Sequence, residues 1–305
     1  MIEDEARPAA PPATPPSLQA LYLNLLKRTL TRTLFGHGGE EAVPPALSRA
    51  LQWSVRRVFV PAYMGTVRRI PAVHHLIGPV QRSLRKLITV HPLERLQGRD
   101  WPADAETMIG LVRLDNIQYC VESVLRDGIP GDLIEAGVWR GGATIFMRGV
   151  LAAYGDRERA VWAADSFAGL PRPDPGRAPL DEGDTTWAFS AELAVSLDRV
   201  KANFARYGLL DDRVRFLVGW FKDTLPVAPI ERIAVMRLDG DMYESTMDAI
   251  TALYPKLSVG GYVIVDDYGA LPNCRAAIHD FRARFGITDP IVEVDWTGIY
   301  WRRSS

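Results

Sequence analysis

Cysteine is scarce. Cys120 and Cys274 are the only two in 305 residues, too few for a disulfide framework, and a reducing cytosol is the expected setting. No apolar run nears the ~18 residues of a membrane span. The opening Met-Ile-Glu-Asp-Glu has neither the basic start nor the apolar centre of a secretion signal, so a cytoplasmic protein is expected. With 36 Lys and Arg against 37 Asp and Glu, the formal charge of -1 gives no global attraction for nucleic acid, and no such partner is expected. A strict G-x-G-x-x-G is missing as well, which disfavours a dinucleotide dehydrogenase. Acidic residues are absent between Ala42 and Pro92, a segment that holds Arg49, Arg56, Arg57, Arg68, Arg69, Arg82, Arg85 and Lys86.

What is present suits a folded enzyme. The chain is 47% hydrophobic and 24% charged, so most of it can bury a core. Residues 1–17, rich in Pro and Ala, are expected to form a flexible tail. Residues 18–100 are expected to form a helical arm or lid, beginning with a helix over Leu18–Leu34 and continuing in short amphipathic helices broken at Pro61, Pro71 and Pro79. From residue 101 to 305 strands and helices alternate. Strands are expected at Asp132–Glu135, Ala160–Ala164, Val214–Val218, Ile233–Leu238, Tyr262–Val265, Ile291–Val294 and Gly298–Arg302. Between them lie helices at Asp115–Arg126, Ala143–Tyr154, Ala191–Tyr207, Ser245–Lys256 and Asn273–Phe285, and a mobile loop around Pro171–Thr186. The alternation predicts an α/β fold: a doubly wound, mainly parallel seven-stranded sheet with an N-terminal helical region.

Chemistry concentrates at the strand ends, where ligands of such sheets bind. The strand at Asp132 runs into Glu135-Ala-Gly137-Val-Trp139-Arg-Gly141-Gly142, a turn whose glycines let backbone N–H groups approach a ligand at a helix N-terminus. The next strand ends on Asp165-Ser166-Phe167, with the acid where such folds hold a ribose. Two later strands end on acid pairs, Asp239-Gly240-Asp241 and Asp266-Asp267. Four carboxylates gathered there repel one another unless a cation or protons intervene, so a hard divalent metal is the first expectation. A lone Asp-x-Asp is more often a cap or a solvated turn; a second pair at a neighbouring strand end tips the balance to metal.

The stretches Leu21–Leu30, Arg99-Asp-Trp-Pro, Thr107-Met-Ile-Gly, Asp132–Thr144, Gly219–Pro226, Leu238–Ser245 and Gly260–Tyr268 together resemble the macrocin O-methyltransferase family. That resemblance implies a Rossmann-like methyltransferase that moves a methyl group from S-adenosylmethionine to a sugar hydroxyl on a natural product, with Mg2+. It implies Asp239, Asp266 and Asp267 as metal ligands and Asp241 as the base. It places Thr107, Met108 and Ser196 at the methyl donor, alongside Glu135, Gly137, Trp139, Gly141, Asp165 and Ser166. Trp220 stacks on adenine or is a core residue, and His279 is a candidate for facing the acceptor. A homo-oligomer and a sugar-containing small-molecule acceptor are the implied partners. The acid-free segment is longer than the family's usual connection, and three roles stay open to it: a lid and dimerisation arm, a site for an anionic acceptor, or a contact with an anionic membrane surface. A catechol-type methyltransferase, a metal-dependent glycosyltransferase and a non-catalytic scaffold remain as rival readings.

Overall fold

The computed structural model describes residues 15–34, 92–100, 102 and 104–305. The short helices expected between Ala42 and Pro92, and most of the Pro/Ala-rich tail, lie outside these residues.

Helix α1 (Leu18–Leu30) starts at Ser17, whose side chain accepts the Ala20 N–H, and buries Leu23, Leu26 and Leu30. Helix α2 (Pro92–Leu96) and α3 (Leu111–Arg126) lead into β1 (Asp132–Ala136), then α4 (Gly142–Ala153) and β2 (Val161–Asp165). Helices α5 (Ser190–Leu193) and α6 (Leu197–Arg206), strand β3 (Val214–Val218) and the short α7 (Phe221–Thr224) follow. The chain closes through β4 (Ile233–Leu238), α8 (Tyr243–Leu253), β5 (Leu257–Val265), α9 (Pro272–Arg284), β6 (Val292–Glu293) and β7 (Ile299–Arg302).

The seven strands form one sheet in the order β3-β2-β1-β4-β5-β7-β6. Every pair from β3 to β5 is parallel, and the β6–β7 hairpin adds antiparallel to β5. The expected doubly wound sheet is therefore present. Central strands covered on both faces read as near-continuous apolar runs, as β4 does. One face packs Leu114, Ile117, Phe146, Val150 and Phe204 of α3, α4 and α6, together with Leu26 and Leu30 of α1. The other packs Ile250, Leu253, Ile278 and Phe281 of α8 and α9.

The topology positions the site. From β1 the chain winds outward to β2 and β3, then returns to β4 on the other side of β1. The crevice beyond the carboxyl ends of β1 and β4 is the switch point at which such sheets bind ligands. Gly137 leaves β1 there with φ +94°, and Asp239 leaves β4 with its N–H bonded to the Ala136 carbonyl at 2.8 Å.

Two local expectations are corrected. The helix expected over Ala191–Tyr207 is two helices, because Ser196 is an N-cap: its hydroxyl accepts the Arg199 N–H at 3.3 Å and starts α6. The Pro171–Thr186 stretch, expected to be a mobile loop, is anchored. Asp181 is fully buried and accepts the N–H groups of Tyr243 and Glu244, each at 2.9 Å, at the start of α8. Asn273 of α9 donates to the same carboxylate at 3.1 Å. A carboxylate on orphan N–H groups at a helix N-terminus is favoured by the helix dipole as well. Among the described residues no helix is long and apolar enough to cross a membrane. Cys120 and Cys274 are both buried and free.

Candidate active site

A cavity of about 610 Å³ opens over the switch point. Its lining includes Thr107, Met108, Gly137, Trp139, Asp165 and Trp220, the acids after β4 and β5, and Leu271, Trp296 and Thr297. Asp165 organises the turn after β1. It accepts the N–H groups of Val138 at 2.7 Å and Trp139 at 3.3 Å on one oxygen, and that of Phe167 at 2.7 Å on the other. Trp139 and Phe167 both hold left-handed backbone (φ 48° and 53°), strained for non-glycine residues, and these bonds help to hold it. Burial pushes the Asp165 carboxyl up in pKa, and the three backbone donors oppose that. The next wall is gripped from behind: the buried Arg95 donates to the carbonyls of Met108 and Ile109, at 2.8 and 2.7 Å.

At the centre, Asp239, Asp241 and Asp267 converge, each offering an oxygen within 4.8 Å of the others'. The tight Asp239-Gly240-Asp241 turn makes this possible, with Asp241 at φ 58° and its N–H donated to Asp267 at 3.3 Å. Burial, then the neighbouring carboxylates, push the proton affinities of Asp241 and Asp267 well above the ordinary carboxylate range. An all-oxygen cup of mutually repelling carboxylates is the donor set that Mg2+ and its hard relatives prefer, so these residues fit the expected metal.

Asp266, expected as a further ligand, lines the same cavity and carries two counter-ions. Its carboxylate is held by Arg113 on one side and Arg237 on the other. Burial alone would raise its pKa, but the two guanidiniums outweigh burial and hold it below the ordinary value. Arg237 also pairs with Glu135 and with Asp239, the latter at 2.8 Å.

A family model described as Macrocin-O-methyltransferase (TylF) matches residues 19–303. The chain belongs to the macrocin O-methyltransferase family. Over 211 residues it is 61% identical to the 8-demethyl-8-(2,3-dimethoxy-alpha-L-rhamnosyl)-tetracenomycin-C 4'-O-methyltransferase of Streptomyces olivaceus, covering 69% of this chain and 80% of that one. Mycinamicin III 3''-O-methyltransferase of Micromonospora griseorubida is 56% identical over 213 residues, 69% of this chain and 84% of that one. The solved structure of the O-methyltransferase NovP matches with a TM-score of 0.73 at 42% identity, covering 94% of this chain and all (100%) of that one. The chain is an S-adenosylmethionine-dependent O-methyltransferase.

Within this macrocin-family enzyme, Thr107, Met108, Gly137, Trp139, Asp165, Ser166 and Trp220 all line the cavity. Trp220 is 38% exposed, which removes the core reading of that residue. Glu135, expected at the donor, lines the cavity as well, although it is largely buried: it pairs with Arg237 and accepts the Thr144 hydroxyl, and burial raises its pKa to about 7. Gly141 lies at the start of α4 against Val200 and Phe204, outside the cavity lining. His279 is exposed on α9, 2.8 Å from the Tyr268 hydroxyl, and likewise outside the lining. Ser196 is an exposed cap on α6 and does not reach the donor pocket. Ser196→Ala is accordingly expected to cost about 1 kcal/mol in denaturant unfolding, with S-adenosylhomocysteine affinity in calorimetry unchanged.

Two functional residues escaped the sequence reading, Arg113 and Arg237. Arg237 had a signal: it is a charge inside the otherwise apolar β4 run, and a charge there requires a buried partner. Arg113 had a fainter one, a cation in the first turn of α3, where the helix dipole disfavours it.

Proposed function

We propose that this enzyme transfers the methyl group of S-adenosylmethionine to a sugar hydroxyl on a glycosylated small molecule, with Mg2+ held by Asp239, Asp266 and Asp267. The observation that carries this is the continuity of one cavity, from the glycine turn of β1 to the acid cup beyond β4 and β5. The relatives support the acceptor class, since their names specify methylation of a rhamnosyl-tetracenomycin, a mycinamicin and a novobiocin precursor.

The Gly137–Trp139 turn and Asp165 form the donor end, with Trp220 placed to cover a flat base and the Asp165 carboxylate facing the ribose hydroxyls. A bound Mg2+ would lower the pKa of an acceptor hydroxyl and orient it. Asp241 lies beside these ligands and takes the hydroxyl proton. The oxygen then forms its bond to the methyl carbon as the carbon–sulfur bond breaks, leaving S-adenosylhomocysteine. Holding the two reactants in line across one cavity supplies much of the acceleration. Arg113 and Arg237 pair with Asp266 and keep its carboxyl ionised.

Glycosides, their aglycones and catechols, each assayed with Mg2+ and with excess chelator, test the reading. Turnover is expected with glycosides and Mg2+ only. Faster turnover of catechols would overturn the acceptor class, and full activity under chelation would overturn the metal.

A further inference from the structure

Resting on the sugar-acceptor reading above, we infer that Trp296 is the platform on which the acceptor's sugar ring stacks. Trp296 lies in the turn between β6 and β7 and lines the cavity, as do Thr297, Asp266 and Asp267. Its turn is fastened to the acid pair. The Thr297 hydroxyl donates to the Asp266 carbonyl at 2.8 Å, and the Gly269 N–H, just past Asp267, donates to the Thr297 carbonyl at 2.8 Å. Asp295 accepts the N–H groups of Thr297 and Gly298, at 3.0 and 2.8 Å. Its other oxygen takes Arg113 at 3.1 Å, and the same guanidinium pairs with Asp266.

The indole is aimed as well as anchored. Its Nε1–H donates to the Gln97 carbonyl at 3.0 Å, and the guanidiniums of Arg99 and Arg113 lie 5.0 and 5.9 Å from its ring centroid. Trp296 nonetheless remains 40% exposed. An indole whose orientation is fixed and whose N–H is already satisfied offers the cavity a flat apolar surface and little else. A pyranose is the matching shape. Its hydroxyls sit around the edge and its C–H groups on the faces, so a ring that turns vicinal hydroxyls toward the acids still has an apolar face to cover. The ring of Trp296 contributes binding and takes no part in bond making, so its loss is felt in KM.

Steady-state methylation of phenyl α-L-rhamnoside by the full-length enzyme, at saturating S-adenosylmethionine and Mg2+, tests this. In Trp296→Ala the KM for the rhamnoside is expected to rise about tenfold with kcat within about twofold of wild type, the pattern of lost uniform binding. Trp296→Phe keeps a flat ring and should stay within about threefold of the wild-type KM. Trp296→Leu keeps apolar bulk without a ring and should resemble Trp296→Ala. Calorimetric affinities for Mg2+ and S-adenosylhomocysteine should change by less than about twofold in each variant. A wild-type KM in Trp296→Ala or in Trp296→Leu would overturn the inference. A loss of Mg2+ affinity matching the rise in KM would overturn it too, by marking Trp296 as a brace for Arg113 and Asp266. Should Trp296→Ala fail to fold, the contrast between the Phe and Leu variants decides. A wild-type enzyme that methylates catechols but not the rhamnoside would instead remove the acceptor reading itself, and this inference with it.

Discussion

Asp239→Ala is expected to reduce methyl transfer by roughly a thousandfold or more, at saturating S-adenosylmethionine and across any practical Mg2+ concentration. Asp239 is the one acid that belongs to both halves of the centre: it converges with Asp241 and Asp267 and is also bonded to Arg237. Its loss opens the cup and leaves the guanidinium to Glu135 and Asp266 alone. Arg237 still keeps those two partners, so folding should survive and the donor end should stay intact. Initial rates on a glycosylated acceptor, paired with S-adenosylhomocysteine titration, separate the two effects. A rate within about tenfold of wild type would mean that the acids after β4 do not assemble the reacting groups.

Gly137→Ala is expected to be as damaging, through the donor. A Cβ at this position would lie 1.9 Å from the Asp239 carbonyl oxygen, at a φ of +94° that L side chains rarely adopt. No rotamer relieves a collision between Cβ and backbone, so either the turn or the Asp239 loop must move. We expect S-adenosylhomocysteine affinity to fall by about a hundredfold, roughly 2.7 kcal/mol, with loss of turnover alongside. Gly155→Ala is the control. It too has a left-handed φ, +70°, but nothing lies within 4 Å of the added carbon. It should cost about 1 kcal/mol of stability and leave donor affinity alone. Equal donor affinity in the two variants would show that the approach of the β1 turn to Asp239 is not what shapes the pocket.

The fold was readable because its signals are local. The runs Ile233–Leu238 and Val214–Val218 coincide with β4 and β3, and Asp239 marks the carboxyl end of the first. The glycine turn, Asp165 and the four aspartates line one cavity, as spacing and strand order required. What spacing could not show is which charges cancel which. Arg113 and Asp266 lie 153 positions apart, and Arg237 and Glu135 lie 102 apart, so their pairing exists only once β1, β4 and β5 are side by side. Asp266 and Asp267 are adjacent in the chain, yet the first faces two arginines and the second faces the cup. Local capping was misread for a related reason. Ser196 follows a helix-compatible stretch, and only its bond to the Arg199 N–H shows that a new helix begins there. Asp181 looked like loop polarity because its partners, Tyr243 and Glu244, arrive from more than sixty positions downstream.

The anchoring of the Pro171–Thr186 excursion by Asp181 has an evolutionary corollary. Arg172, Asp174 and Arg177 on that excursion, and Trp296 on the closing hairpin, furnish the cavity's rim, whereas every atom assigned to the chemistry springs from the rigid ends of central strands. Rim residues such as Arg172 can change while Asp181 and Asp184 keep the excursion docked. Such an enzyme can acquire a taste for a new decorated scaffold without relearning how to alkylate it.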